Sequence, residues 1–247
     1  TISEGLTPEE LVQLLNEYLT AMCGIISSHH GTIDKFEGDA IIAFWGAPLV
    51  LPEHATVACY AAIEMQQRNE EMRQMLREQN RPLLFTRMGL NSGPVVVGNM
   101  GSADRMDYTM MGDVVNLAAR LEGANKFYKT FTMISGSTYE LAKDDIDSRQ
   151  LDIIRVVGKK EPVHVYEVLA RKNETGNEMS GVVEQYLKGL KLYQDRNFAD
   201  AVKEFKKVLD IDPEDGPSLT YVKRCGVFLE TPPEKDWDGV YTFTEKG

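Results

Sequence analysis

The sequence predicts an α+β fold with a mostly antiparallel sheet. Strand-like and helix-like segments interleave along the chain, and several strands are joined by connections too short for a parallel crossover. A polar stretch containing Gly176, at residues 171–180, then gives way to purely helical patterning, which marks a linker before an appendage. The expected layout is a domain at residues 1–171, a linker at 172–180, and a helical hairpin and tail at 181–247.

Thr7-Pro8-Glu9-Glu10 reads as a helix start, with Thr7 as cap, Pro8 in the first turn and Glu10 completing a capping box. Leu11, Leu14, Leu15, Leu19, Met22 and Ile26 keep the helical period to about Ser28. Thr32–Lys35 and Ala40–Trp45 read as a hairpin turning at Gly38-Asp39, and Glu53–Gln79 as a long helix. Phe85–Asn91 and Pro94–Gly98 are expected to pair as antiparallel strands around Ser92-Gly93. A third helix is expected over Gly112–Ala124, with strands at Thr130–Ser135, Arg149–Val157 and Val163–Leu169 and a short helix at Ser137–Ala142. Beyond the linker, Gly181–Leu209 and Gly216–Leu229 read as helices around IDPEDGP. Gly189, Ala201, Phe205 and Pro213 match the small, small, large and helix-ending positions of a tetratricopeptide unit. A lone unit cannot bury its own face, so it is expected to pack on the domain before it or on another chain. The tail carries Trp237, Tyr241 and Phe243 and is expected to dock.

With 43% hydrophobic and 26% charged residues over 247 positions, the composition is that of an ordinary globular protein. A net charge of −11 argues against a nucleic-acid partner, yet it leaves a polyphosphate ligand open, since divalent cations and a few basic residues can carry that binding. Cys23, Cys59 and Cys225 are odd in number and lack metal-ligand spacing, so they read as reduced packing thiols. His29-His30 lacks a third ligand at sensible spacing. No apolar run reaches the roughly 18 residues of a membrane span. The expected location is cytoplasmic, with anchoring of a longer parent through an upstream region left open. The chain begins at Thr1 without methionine and reads as a fragment.

Taken alone, Gly38-Asp39 is good turn chemistry, and a cation-holding role for Asp39 needs support from elsewhere in the chain. That support is LNSGPVVVGNMGSADRMDYTMMGDVVNLAARLEGANKFY at residues 90–128, which with KFEGDAIIAFWG resembles the catalytic domain of class III nucleotide cyclases. The bacterial adenylyl cyclase branch is the nearest in pattern, and the resemblance covers about residues 1–170. It implies a ferredoxin-like, mostly antiparallel sheet with helices. It also implies conversion of ATP to 3′,5′-cyclic AMP and pyrophosphate, with two Mg²⁺ or Mn²⁺ ions per site, at the interface of a homodimer. An upstream sensor domain is expected in the parent, and the output is signal transduction.

By the same resemblance, Asp39 falls at a metal aspartate, where a tight turn projects a hard carboxylate free of the sheet. Lys35 and Thr109 match the base-reading pair. A lysine donates to adenine N1 and a threonine hydroxyl accepts from N6, whereas guanine presents the reverse pattern. As structural residues, Lys35 would be a solvated strand lysine and Thr109 a β-former. Asn116 and Arg120, four apart on the third helix, match the ribose-positioning asparagine and the transition-state arginine, or else serve as helix-surface groups. Arg105 sits where the family carries a phosphate-reaching basic residue, although Asp104 or Asp107 offers it an ion pair. VVGKKEP departs from the family's VKGK-type segment at Val157, leaving Lys159 or Lys160 to contact the terminal phosphates. A further metal aspartate, on a strand preceding TISEGL in family members, is missing from these residues, so the fragment is expected to turn over slowly or not at all. Three other readings stay in play: a catalytically silent homologue that senses nucleotide or scaffolds a partner, a guanylyl cyclase, and a cyclase fold that serves to carry its helical tail as a protein-interaction module.

Overall fold

A computed structural model describes residues 6–155 and 161–242. It divides into two compact units, Thr1–Thr86 with Ser92–Leu117, and Arg87–Asn91 with Ala118–Gly247.

In the first unit, helix α1 (Pro8–Ser28) starts with the expected capping box. The Thr7 amide donates to Glu10 Oε2 at 2.8 Å, and the Glu10 amide donates back to Thr7 Oγ1 at 3.3 Å. Its buried stripe of Leu14, Tyr18, Met22, Ile25 and Ile26 packs toward helix α2 (His54–Glu78). Strands β1 (Thr32–Glu37) and β2 (Ala40–Phe44) form the expected hairpin, and Gly38 turns it with a φ of 65° that a side chain would resist.

The next pairing differs from expectation. Strand β4 (Val96–Gly101) pairs with β5 (Met106–Met111), a strand that sequence patterning missed, and not with the segment before Ser92. Six consecutive partners are available there, whereas β3 (Met88–Leu90) is only three residues long and runs parallel to β6 (Thr132–Ser135). The polar DRMDYT stretch had hidden β5 from a search for apolar alternation.

In the second unit the sheet order is β3-β6-β8-β7-β9, with β7 at Ile146–Arg155, β8 at Val163–Arg171 and β9 at Tyr241–Thr242. The β6–β8 and β7–β8 pairs are antiparallel, while β3–β6 and β7–β9 are parallel. Helix α3 (Asp113–Tyr128) runs four residues beyond the expected end, and its second half lies directly on β3. A Cβ on Gly89 would stand 2.2 Å from the Ala118 carbonyl oxygen and 2.3 Å from the Glu122 nitrogen. Asn125 Nδ2 ties the same helix to the Met88 carbonyl at 2.9 Å. Because the obstructing atoms are backbone, Gly89→Ala is expected to cost about 3 kcal/mol, the upper end for overpacking. Urea denaturation measures this, and a loss below about 1 kcal/mol would contradict the close approach.

After the short helix α4 (Gly136–Ala142), which matches the one expected at Ser137–Ala142, the appendage is a helical hairpin, α5 (Asn177–Gln194) and α6 (Phe198–Ile211), followed by α7 (Gly216–Glu230). The single helix expected over Gly181–Leu209 is broken at Asp195–Asn197, where Arg196 adopts a φ of 61° and Asn197 caps α6. The break falls at Gln194-Asp195-Arg196-Asn197, a polar stretch that would equally suit one exposed turn of a continuous helix, so the sequence does not reveal it. Helix α5 also starts inside the expected linker, because Gly176 takes an extended N-cap conformation.

The appendage covers the sheet of its own unit. Tyr186 and Tyr221 donate their hydroxyls to the Leu151 carbonyl at 2.8 and 2.9 Å. Arg149 of β7 bonds Glu167 and Asp215, each at 2.6 Å, and Arg224 of α7 bonds Asp152 of β7 at 2.6 Å. Burial pulls the Arg149 pKa down, but the Glu167 and Asp215 carboxylates outweigh it and hold the value above the ordinary one. The tail docks as expected: Trp237 packs against Tyr193, Phe198 and Phe228, and the Arg224 guanidinium lies 3.7 Å from the Tyr241 ring centroid. Phe243 lies outside the described residues. Cys59 and Cys225 are buried, Cys23 is half-buried, and all three are free thiols. Among the described residues no helix is long and apolar enough to cross a membrane.

Candidate active site

The first unit brings two of the expected site residues together through a third. Thr109, in the middle of β5, donates its hydroxyl to Asp34 Oδ2 at 3.0 Å. Lys35 Nζ stands 3.6 Å from the same oxygen, with its side chain half exposed. The Asp34 side chain is only 4% exposed. Sequence reasoning missed Asp34. The available signal was an aspartate, depleted in strands, set inside an otherwise strand-like run.

Gly98 is directly across the ladder from Thr109, so nothing fills the space beside that hydroxyl from the partner strand. Asp39 is exposed at the tip of the β1–β2 turn. Its lone hard carboxylate fits a divalent cation as a single ligand, and among the described residues no three His, Cys, Asp or Glu side chains gather as a metal-holding group. Arg105 is 84% exposed in the β4–β5 loop, 3.8 Å from Asp107, a distance and exposure at which an ion pair contributes little. Of the two acids open to Arg105, the structure offers Asp107.

Asn116 and Arg120 lie one turn apart on α3. Asn116 is exposed, while Arg120 is half-buried with Nη1 fully covered and without a hydrogen-bond partner among the described residues. A covered guanidinium nitrogen with nothing to donate to is uncommon in a native fold and calls for an explanation. Val157, Lys159 and Lys160 lie outside the described residues.

The profile described as Adenylate and Guanylate cyclase catalytic domain matches residues 1–170. The chain belongs to that family. Adenylate cyclase 1 of Rhizobium meliloti is 40% identical to this cyclase domain over 169 residues, 68% of this chain and 25% of the relative. The chain therefore spans about a quarter of that relative's length. Among solved structures, the adenylyl cyclase CyaB from P. aeruginosa superposes with a TM-score of 0.64 at 39% identity, covering 71% of this chain and 90% of that one. The guanylyl cyclase Cya2 does so with a TM-score of 0.62 at 36% identity, covering 71% and 88%. The expected cyclase fold is thus borne out. Because structures of both base preferences match about equally well, the fold does not choose the purine.

Proposed function

We propose that this domain converts ATP to 3′,5′-cyclic AMP and pyrophosphate, and that the meeting of Lys35 and Thr109 at the buried Asp34 carboxylate selects adenine. Lys35 Nζ donates to N1 of the base, and the Thr109 hydroxyl, already donating to Asp34, accepts from the 6-amino group. Guanine would set N1–H against the ammonium and a carbonyl against an oxygen that has no proton left to give.

Asn116 orients the ribose so that the 3′-hydroxyl faces the α-phosphorus. The Arg120 guanidinium receives the negative charge that develops on the phosphoryl oxygens and on the departing pyrophosphate, which explains a covered Nη1 with no internal partner. Arg105 and Lys159 reach the outer phosphates. Asp39 holds one side of a site for Mg²⁺ or Mn²⁺, two ions per site in the intact domain. Such ions, when bound, lower the pKa of a coordinated hydroxyl and neutralise triphosphate charge.

A symmetric homodimer with two equivalent sites is proposed as the working form, each site taking Asp39 from one copy and Lys35, Thr109, Asn116 and Arg120 from the other. Supporting it, the β4–β5 ribbon leaves Val96 and Met111 68% and 65% exposed as a directly opposed pair. That pair shares a ribbon face with Gly98 and Thr109, two residues along each strand. The α5–α6 hairpin is proposed as a single tetratricopeptide-like unit, since a Cβ on Gly189 would meet the Phe205 ring at 2.8 Å, a close helix approach that only the small residue permits.

Incubating the full-length protein with ATP or GTP and Mn²⁺, and separating the nucleotide products by chromatography, tests the reading. Cyclic AMP from ATP with little cyclic GMP from GTP is expected. Cyclic GMP as the main product would refute it.

A further inference from the structure

Asp34 occupies a β-bulge. Ile33 pairs with Ala43 and Lys35 with Ile42, so β2 has no residue opposite Asp34. Bulges re-aim a side chain that regular alternation would point elsewhere, and here the re-aimed carboxylate is the one that receives Thr109 from β5. Its other oxygen, Oδ1, is covered and has no hydrogen-bond partner among the described residues. Burying a carboxylate while leaving one oxygen unpaired costs stability, so the placement needs a return beyond packing.

We propose that Asp34 is a specificity-determining positioning residue, which fixes the polarity of the Thr109 hydroxyl and thereby makes the site an adenine reader. The proposal rests on the adenine reading above and assigns its control to a residue that does not touch the base.

A threonine hydroxyl has one proton and two lone pairs, so in an indifferent setting it accepts from a 6-amino group or donates to a 6-oxo group with equal ease. A carboxylate accepts only. With the proton committed to Asp34 Oδ2 at 3.0 Å, Thr109 Oγ1 turns nothing but lone pairs toward a ligand. It then satisfies an amino group and faces a carbonyl oxygen with like polarity. The same carboxylate oxygen lies 3.6 Å from Lys35 Nζ, so one buried anion steadies both members of the base-reading pair. The ammonium supplies the donor at the ring nitrogen and the hydroxyl supplies the acceptor beside it.

Asp34→Asn keeps the shape and removes the rule. The amide NH₂ can donate to Thr109 Oγ1, which frees the hydroxyl proton for a 6-oxo group. Asp34→Ser removes the rule differently, because a serine hydroxyl donates or accepts. The measurement is kcat/KM for ATP and for GTP in the full-length protein carrying each substitution, with the ratio of nucleotide-induced shifts in Tm as a second readout. Both variants are expected to lower the ATP-to-GTP selectivity by about 10- to 100-fold, the scale of one mismatched hydrogen bond in a buried site. Adding Asp34→Asn to Thr109→Val is expected to change selectivity far less than Asp34→Asn does alone, since the hydroxyl whose polarity Asp34 fixes is then gone and only its weaker contact with Lys35 remains. Equal losses with both nucleotides, or an unchanged ratio in a folded variant, would overturn the proposal and leave the adenine reading standing. A wild-type preference for GTP would instead overturn the adenine reading, and the role of Asp34 with it.

Discussion

Arg120→Ala is expected to lower kcat for cyclic AMP formation by about 10²- to 10³-fold while leaving Tm unchanged or slightly raised. Both halves follow from one atom. Nη1 is covered yet has no partner among the described residues, so truncation removes a desolvated donor without breaking a described hydrogen bond from that nitrogen. The loss of rate is the magnitude seen when a preorganised donor to transition-state charge is deleted. Thermal unfolding and product chromatography on the same preparation separate the two effects. If the fall in activity merely tracked a fall in Tm, Arg120 would be a packing residue and the catalytic role would fail.

The same variant probes the proposed sharing of the site between two copies. Mixing Arg120→Ala chains with Asp39→Ala chains in the full-length protein should restore activity, since one site of each mixed dimer retains both groups. Folded mixed dimers that stay inactive would exclude the shared arrangement.

Asp152→Ala carries the largest expected loss of stability, about 3–5 kcal/mol. The Asp152 side chain is 2% exposed and accepts from both Arg224 and the Tyr128 hydroxyl at 2.6 Å. Removing it strands the Arg224 charge in a site where burial already works against it, and leaves a buried phenol without its acceptor. In a chain of this size the midpoint should fall by roughly 10 °C. Replacing both charges, as Asp152→Leu with Arg224→Met, is expected to recover much of the loss, because a buried pair exchanged for packed apolar groups costs far less than a broken one. Guanidinium denaturation of the single and double variants measures this. A single-variant loss under about 1 kcal/mol would show that the pair contributes little where α7 meets β7.

The residues with proposed catalytic roles were nearly all legible in the sequence, because they sit in short, contiguous motifs. Lys35 and Asp39 flank one turn, and Asn116 and Arg120 are one helical turn apart. Asp34 was not legible. Its importance depends on a hydroxyl 75 positions away and on a bulge, and neither leaves a periodic trace. The two strands beside Ser92 were misassigned for a related reason. Each looked like a hairpin arm locally, but β3 finds its hydrogen bonds with β6, more than 40 residues later, and β4 finds them with the polar-looking β5.

By itself the sequence determined what neighbours along the chain decide: the capped start of α1, the Gly38 turn, the helical register that sets Asn116 above Arg120, and the family to which the domain belongs. Only the tertiary structure decided which strands pair beyond the β1–β2 hairpin, that α7 and Trp237 close over the appendage, and that Asp34 stands behind Lys35 and Thr109. The physical reason is that capping, turn and helix energies act within a few residues. Ladder pairing and buried charge partners are chosen among segments far apart in the chain, by which arrangement leaves the fewest polar groups unpaired.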